Sequence, residues 1–301
     1  MPARGPSRAY AQPVLRITDA RTGDPVTAAP ARRGLTRVEA HVPRPDTTGL
    51  RVLLIADVLV RALEISGTPV WTVLTGTEQR TELRARAAEL GIRPFEDERD
   101  SGSGLGEAQV LRVLGPPDRL EGSDPVGAER ESNEPVAGEP VDGEPATDGP
   151  VGSGTAAGQA VAGEAAGGLC VAVAGAEVES GAAHDEESAS ALRLALLARP
   201  RGETLHIGAA DLADARENLR RWRDAVAVWA TRPSGPIPDP VREQLRAAWE
   251  DDLDVPAVLG VLRKVETSGT VPDGARFETY AYADRLLGLE LTRDIGRGAP
   301  A

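Results

Sequence analysis

One long apolar run dominates the hydrophobic pattern of this chain. From residue 51 to 66 almost every position is apolar, and the exceptions in its interior are Asp57, Arg61 and Glu64. Their spacing of four and then three residues places them on one narrow stripe of a helix. A helix that is apolar nearly all round must be covered on most sides, so we predict a buried helix here.

Two short apolar segments flank this helix. Residues 38–42 and 70–74 have the composition of strands, and the loop PRPDTTG at 43–49 is rich in turn formers. Strand, helix and strand in this order predict a parallel βαβ unit. Ligands of such sheets bind at the carboxyl ends of the strands, which places the candidate ligand loop at residues 43–50.

Weaker patterns predict further elements in the first two thirds of the chain. They are an edge strand at 14–17 before a turn at Gly23-Asp24-Pro25, a helix at 78–90 capped by Thr77, a short helix at 107–113, a buried strand at 169–174, a turn region at 175–181, and an apolar helix at 187–198.

The last third of the chain predicts a helical bundle. Its longest helix, at 208–230, carries a seam of apolar residues at alternating spacings of three and four: Leu212, Ala215, Leu219, Trp222, Val226 and Trp229. Asp239-Pro240 and Asp254-Val255-Pro256 are helix-start signals, and Gly288 ends a final helix that begins near Pro272. The two tryptophans are interpreted as core residues and not as a stacking platform.

Composition changes sharply between these parts. Residues 100–168 are mostly Gly, Pro, Ala and acids, with the imperfect repeat NEPVAGEPVDGEPATDGP at 133–150. Such a segment buries too little apolar surface to offset its ordering entropy, so we predict a disordered acidic linker. Of the net charge of −13, the stretch 121–168 carries −9, from ten acids and one arginine, which leaves −4 elsewhere.

The predicted organisation therefore has six segments. They are a flexible leader (1–13), the first half of an α/β core (14–99), the linker (100–168), the closing strand and helix of the core (169–200), the helical bundle (201–291) and a flexible tail (292–301).

Several segments resemble the class I family formed by cysteinyl-tRNA synthetase and the mycothiol cysteine ligase of actinobacteria. The resemblance covers roughly 14–95 and 169–291, and RRWR together with the DRLLGLEL ending favours the mycothiol ligase. It rests on LRITDARTGDPV (15–26), the stretch from residue 38 to 71, ALRLALLA (191–198), LADARENLRRWRDAV (212–226), WEDDLDVPAVLGVL (249–262) and DRLLGLEL (284–291). It implies a Rossmann-like sheet of the class I aminoacyl-tRNA synthetase type with a C-terminal α-helical bundle.

The same resemblance locates two altered catalytic motifs. The HIGH motif, whose histidines stabilise the α-phosphate of ATP, corresponds to Thr47-Thr48-Gly49-Leu50, with a slip of one residue left open. The KMSKS motif, whose lysines bind phosphates, corresponds to 177–181, which contains two glutamates. The chain has a single lysine, Lys264, and it lies in the predicted bundle. The resemblance thus implies ATP as the ligand, with Thr47, Thr48 and Gly49 as the cofactor-binding residues and no catalytic residue retained.

Metal and membrane chemistry are not expected. His41 matches the first zinc ligand of the family, yet the segment with the remaining ligands corresponds to the linker, so no zinc is predicted. Cys170 is the only cysteine and is interpreted as a buried apolar residue, and the single cysteine excludes an internal disulfide. No apolar run is long enough for a membrane span, the start lacks a signal-peptide pattern, and we expect a cytoplasmic protein.

Four smaller features are interpreted as structural. The first, HIGA at 206–209, is assigned to a loop before a helix, since its context is not the first βα loop. His184-Asp185 is interpreted as a solvated helix cap rather than an acid/base pair, and the acids at 250–254 as a turn rather than a cation site. His41 is interpreted as a strand-end residue.

Two functions follow from this sequence. The first is a degenerate, catalytically impaired cysteine-ligase-like protein with residual adenine-nucleotide binding and a regulatory role that involves a protein partner. The alternative is an active ATP-dependent ligase with relocated catalytic groups. The acidic balance and the lack of an anticodon-binding module argue against tRNA as a partner.

Overall fold

A five-stranded parallel sheet lies at the centre of the computed structural model, which describes residues 15–30, 34–76, 78–97, 107–116, 168–179 and 186–297. The strands of the described ranges are β1 (Arg16–Thr18), β2 (Pro25–Thr27), β3 (Leu35–His41), β4 (Val70–Thr75), β5 (Glu96–Asp97), β6 (Glu107–Leu114), β7 (Leu169–Ala172), β8 (Ala176–Val178) and β9 (Leu205–Ile207). The helices are α1 (Thr47–Ile65), α2 (Arg80–Glu89), α3 (Glu186–Leu197), α4 (Ala209–Trp229), α5 (Asp239–Glu250), α6 (Val255–Thr267) and α7 (Asp273–Leu287).

The sheet has the strand order β5-β4-β3-β6-β7 and is parallel throughout. The chain starts in the middle at β3, crosses over through α1 to β4, and later returns to the other side of β3 as β6. This is the order of a Rossmann-like half, and the direction of winding reverses between β3 and β6. The predicted fold class of the core, a Rossmann-like parallel sheet, is therefore confirmed. Thr36, Val38 and Ala40 form the buried face of its central strand β3.

Helix α1 forms where the apolar run predicted it, although it starts four residues earlier. Asp46 caps its first turn, and Gly67, with a φ of 81°, follows its last residues. The helix contacts β3, β4 and β6 on the sheet side, and α2, α7 and β8 elsewhere. Cover on both sides explains why it is apolar nearly all round.

The prediction of a helix at 107–113 was wrong. This segment is β6, which pairs with β3 on one side and β7 on the other. Apolar side chains at two-residue spacing, Leu111 and Val113, are fully buried, whereas Arg112 between them bonds Glu39. Because β6 lies inside 100–168, the predicted linker starts too early. Residues 117–167 lie outside the described residues.

Two other boundaries differ from the prediction. The region 175–181, expected to be a turn, contains strand β8, and His206-Ile207, expected in a loop, belongs to β9; these strands pair in parallel. Helix α2 begins at Arg80 after Gln79, without a side-chain cap. The predicted cap Thr77 and the pair His184-Asp185 lie outside the described residues.

The helical bundle follows the predicted pattern closely. All six seam residues of α4 are buried, and Tyr280 of α7 packs edge-on against Trp222 and Trp229. Asp254 caps α6 by accepting a hydrogen bond from the Ala257 amide, and Gly288 ends α7 with a φ of 60°. The predicted helix-start signal at Asp239 marks the first residue of α5 and not its cap, because Pro238 occupies the cap position.

A small antiparallel hairpin, β1 with β2, attaches to the turn between α5 and α6. The Thr18 amide donates to the Asp252 carboxylate (2.8 Å), and the Asp252 amide donates to the Arg16 carbonyl (2.9 Å). Arg201 binds the same carboxylate. Asp252 and Leu253 both have φ values near 57°, a left-handed turn that aims the Asp252 side chain at the hairpin.

Among the described helices, none has the length and apolarity that a bilayer span requires.

Candidate functional site

The candidate site lies where the winding of the sheet reverses. The carboxyl ends of β3 and β6 meet the first turn of α1 there, and the predicted ligand loop at 43–50 connects β3 to that turn. Open parallel sheets bind ligands at this position, so the residues of this turn decide what the site can bind.

Asp46 occupies the positive end of helix α1. Its carboxylate accepts a hydrogen bond from the Gly49 amide at 2.7 Å, and the Arg44 guanidinium lies 3.4 Å from the other oxygen. A helix N-terminus attracts anions through its free amides and its dipole. Here a carboxylate of the chain itself already uses that attraction, and it would repel a phosphate.

Thr48 joins the first turn of α1 to strand β8. Its hydroxyl donates to the Ala176 carbonyl (3.1 Å) and accepts from the Ala176 amide (3.0 Å). A threonine hydroxyl has one proton to donate. Because that proton is used, Thr48 has no donor left for a ligand. The segment that corresponds to the HIGH motif is therefore bonded to Ala176, the residue directly before the segment that corresponds to the KMSKS motif.

Gly49 is required by the loop itself. A Cβ at this position would lie 2.2 Å from the Arg44 carbonyl oxygen and 2.6 Å from Val42 Cγ1. The glycine thus allows the loop to fold back closely on its own helix. Thr47 is half-buried, and its hydroxyl has no hydrogen bond within the described part of the chain. ATP binding by Thr47, Thr48 and Gly49 stays a prediction.

The segment that corresponds to the KMSKS motif presents acid to solvent. Glu177 and Glu179 are exposed, and Glu177 Oε2 lies 3.3 Å from His206 Nδ1 on the neighbouring strand. Ser180 and Gly181 lie outside the described residues. Lys264 is exposed on α6 in the bundle, as the sequence predicted.

Arg51, one turn further along α1, is a buried residue that sequence reasoning missed. Its guanidinium is fully buried and donates to four backbone carbonyls, those of Ala174, Gly175, Pro200 and Glu203. Burial lowers the pKa of Arg51, and the nearby Glu203 carboxylate opposes that shift. The side chain ties the strand ends behind the loop to α1. An arginine at the start of an apolar run was the only sign of this role in the sequence.

Asp57 is the centre of a buried ion network. Its Oδ2 accepts from Arg61 (2.8 Å) and Arg193 (2.9 Å), and its Oδ1 accepts from Arg93 (3.0 Å). Burial alone would raise the pKa of Asp57, but Arg193 and Arg61 outweigh it and hold the pKa below its usual value. Arg193 also donates to the carbonyls of Leu90 and Leu287. The network therefore joins α1, α3 and the ends of α2 and α7.

The remaining sequence candidates do not assemble into a metal site. His41 is exposed at the end of β3, with Nδ1 3.1 Å from Thr75 Oγ1. Cys170 is buried in β7, as predicted. In the acidic turn, Asp252 binds the hairpin and Asp254 caps α6. Within the described ranges, no three His, Cys, Asp or Glu side chains group as metal ligands.

Comparison with known proteins identifies relatives of one kind, although no protein-family model matches. The chain is 40% identical over 111 residues to the L-cysteine:1D-myo-inositol 2-amino-2-deoxy-alpha-D-glucopyranoside ligase of Streptosporangium roseum, a match that covers 35% of this chain and 26% of that protein. It is 38% identical over 106 residues (34% and 25%) to the enzyme of the same name from Streptomyces griseus. About a third of this chain is homologous to mycothiol cysteine ligases.

A third relative, from Parafrankia sp., is 35% identical over 118 residues, which are 36% of this chain and 26% of that protein. The chain spans about a quarter of the length of these curated relatives. The homology confirms the resemblance to the class I cysteine-activating family over that part of the chain. It agrees with the Rossmann-like parallel sheet seen in the structure.

Proposed function

We propose that this chain is a catalytically impaired relative of the mycothiol cysteine ligases that acts by binding another protein. The observation that carries the proposal is the bonding of Thr48 to Ala176. At the position expected to bind the α-phosphate, the Thr48 hydroxyl is hydrogen-bonded to the backbone of Ala176 in β8, and Asp46 adds a negative charge.

The expected loss in the rate of adenylate formation follows from the number of phosphate-binding donors that are missing. Adenylate formation places negative charge on the α-phosphate, and each positioned donor that is lost typically lowers the rate by ~100- to 1,000-fold. Both histidines of the first motif and both lysines of the second have no equivalent here. Their effects are not additive, but together they suffice to bring the rate below detection.

The partner is proposed to be a protein because the site offers little to a nucleotide. Asp46 occupies the N-terminus of α1 with a negative charge, and the exposed carboxylates of Glu177 and Glu179, in and just after β8, would repel phosphates. The names of the relatives refer to L-cysteine and an aminosugar-inositol as substrates. We propose that this chain does not catalyse the ligation of these two substrates, and that tRNA is not a partner.

The test of impaired catalysis is cysteine-dependent ATP–pyrophosphate exchange. The full chain should show no exchange above background when the ligase of Streptosporangium roseum, assayed in parallel, exchanges readily. Exchange by this chain would overturn the proposal and support the alternative, an active ligase with relocated catalytic groups.

Calorimetry tests the nucleotide separately. Titration of the full chain with ATP, and with a non-hydrolysable cysteinyl-adenylate analogue, should give no binding heat. Binding that Thr48→Val abolishes would instead establish a residual adenine-nucleotide site at Thr47, Thr48 and Gly49, and would make protein binding a second role.

A further inference from the structure

A cavity of about 430 Å³ lies on the side of the bundle, between the end of α3, strand β9 and the start of α4. Its volume is within the range of small-molecule sites. The buried floor is apolar and consists of Leu194, Ala195, Leu205, Ile207 and Ala215. None of its lining residues belongs to the loop at 43–50, so the cavity is separate from the candidate site described above.

Two arginines on the lining have no partner within the described chain. Arg199 and Arg263 make no hydrogen bond or ion pair there, whereas most described arginines bind a carboxylate or a carbonyl. Across the described ranges, four arginines share this property: Arg16, Arg199, Arg263 and Arg285. Two of the four line the same cavity. Guanidinium groups bind carboxylates with paired hydrogen bonds, so this lining suits a carboxylate ligand.

The opposite charge is also present on the lining. Glu203 and Asp214 make no side-chain hydrogen bond or ion pair within the described residues, whereas Asp211 accepts a hydrogen bond from the backbone amide of Gly208, the N-cap residue of α4 (2.9 Å). Two carboxylates and two guanidinium groups that make no described hydrogen bond or ion pair line the same cavity, and together they match a ligand that carries both charges. The apolar floor matches a ligand with an apolar side chain.

We infer that this cavity binds a small zwitterion with an apolar side chain, the chemistry of a free α-amino acid or a short peptide. Arg199 and Arg263 bind its carboxylate, Glu203 and Asp214 bind its ammonium group, and the side chain contacts the floor between α3 and α4. The inference does not rest on the proposed function, since neither ATP nor the α1 loop takes part.

The experiment is a titration of the full chain followed by NMR and calorimetry. The probes are leucine, leucyl-leucine, N-acetyl-leucine, which lacks the ammonium group, and leucinamide, which lacks the carboxylate. Leucine or leucyl-leucine should bind at millimolar concentration, and the tighter of the two identifies the ligand as a free amino acid or a peptide. Each truncated probe should bind ~10-fold more weakly, because one set of charged hydrogen bonds is lost.

Variants locate the binding. Arg263→Gln and Arg199→Gln should each weaken binding ~10-fold. Arg285→Gln is the matched control, since this arginine of α7 is also unpartnered in the described chain but does not line the cavity. Equal binding by Arg263→Gln and Arg285→Gln would overturn the inference, as would the failure of both leucine and leucyl-leucine to bind. All three side chains are exposed, so circular dichroism should show unchanged folding.

Discussion

Helix α1 carries two polar sites that satisfy their hydrogen bonds in opposite ways. In its first turn, Asp46 and Thr48 bind backbone groups, and the site is partly open to solvent. In its middle, Asp57 binds the side chains of Arg61, Arg93 and Arg193 and is nearly inaccessible. In the first site the Thr48 hydroxyl has no proton left for a ligand, whereas the second joins α1 to α3 and to the ends of α2 and α7. A polar residue at a ligand-binding position is thus evidence of ligand binding only if its donors and acceptors are not already bonded within the protein.

The largest expected effect comes from removing the buried carboxylate. Asp57→Ala leaves Arg193, which is 1% exposed, without its carboxylate partner. An uncompensated buried charge should lower the free energy of unfolding by about 3–5 kcal/mol, measured by urea denaturation. The control is Glu64→Ala, whose carboxylate is 46% exposed and pairs with Arg93; its loss should cost less than about 1 kcal/mol. Similar losses in both variants would refute the structural role of Asp57.

Next in size is the close packing of the first turn. Gly49→Ala places a methyl group against the Arg44 carbonyl, so it should lower the free energy of unfolding by about 1–3 kcal/mol. Gly260→Ala is the control, because helix α6 has open space around that position. There the change should raise stability by about 0.5–1 kcal/mol in thermal or urea unfolding. A destabilised Gly260→Ala protein would contradict the packing described for α6.

The Thr48 hydroxyl should have a smaller effect. Thr48→Val keeps the shape but removes both hydrogen bonds to Ala176, which should lower the free energy of unfolding by about 1–2 kcal/mol. Thr47→Val, where the hydroxyl has no described partner, should remain within about 0.5 kcal/mol of wild type. If the two variants behave alike in urea denaturation, the contact between α1 and β8 is not a source of stability.

The smallest expected effect is a difference between wild type and Asp57→Asn in how the free energy of unfolding depends on pH. Its arginine partners hold the pKa of Asp57 in the folded chain below the ordinary aspartate value of about 3.8. The stabilisation by its ion pairs is therefore complete well above pH 3.8 and is lost as the pH falls through the lower, folded-state pKa. Between neutral pH and this acid range, wild type should lose more stability than Asp57→Asn. Parallel curves of unfolding free energy against pH would exclude Asp57 as a contributor.

Local signals made much of this fold predictable. Helices α5, α6 and α7 carry Asp or Pro at their starts, and α4 carries a regular apolar seam. The structure places α4, α6 and α7 within a few residues of the predicted ranges. Strand β6 was mistaken for a helix because EAQVLRVL contains good helix formers. Its pairing with β3 and β7, which are distant in sequence, decided its conformation, and propensity does not include such contacts.

The candidate site was predictable in location but not in bonding. The order of strand, loop and helix placed the loop correctly at the carboxyl end of β3. The partners of Thr48 and Arg51 lie more than 120 residues away in the chain, at Ala176 and at Ala174, so no local pattern reveals them. The stripe with Asp57 was visible, but its most buried partner, Arg193, is 136 residues distant.

The hairpin of β1 and β2 behaves differently from an isolated pair of short strands, which would open readily in water. Its amides and carbonyls bind Asp252 in the bundle, and Ala20 bonds the edge strand β7 through the Cys170 carbonyl (2.8 Å). Opening the hairpin therefore breaks contacts with two other parts of the fold. Its amides should exchange with solvent deuterium together with those of the α5–α6 turn, as one cooperative unit.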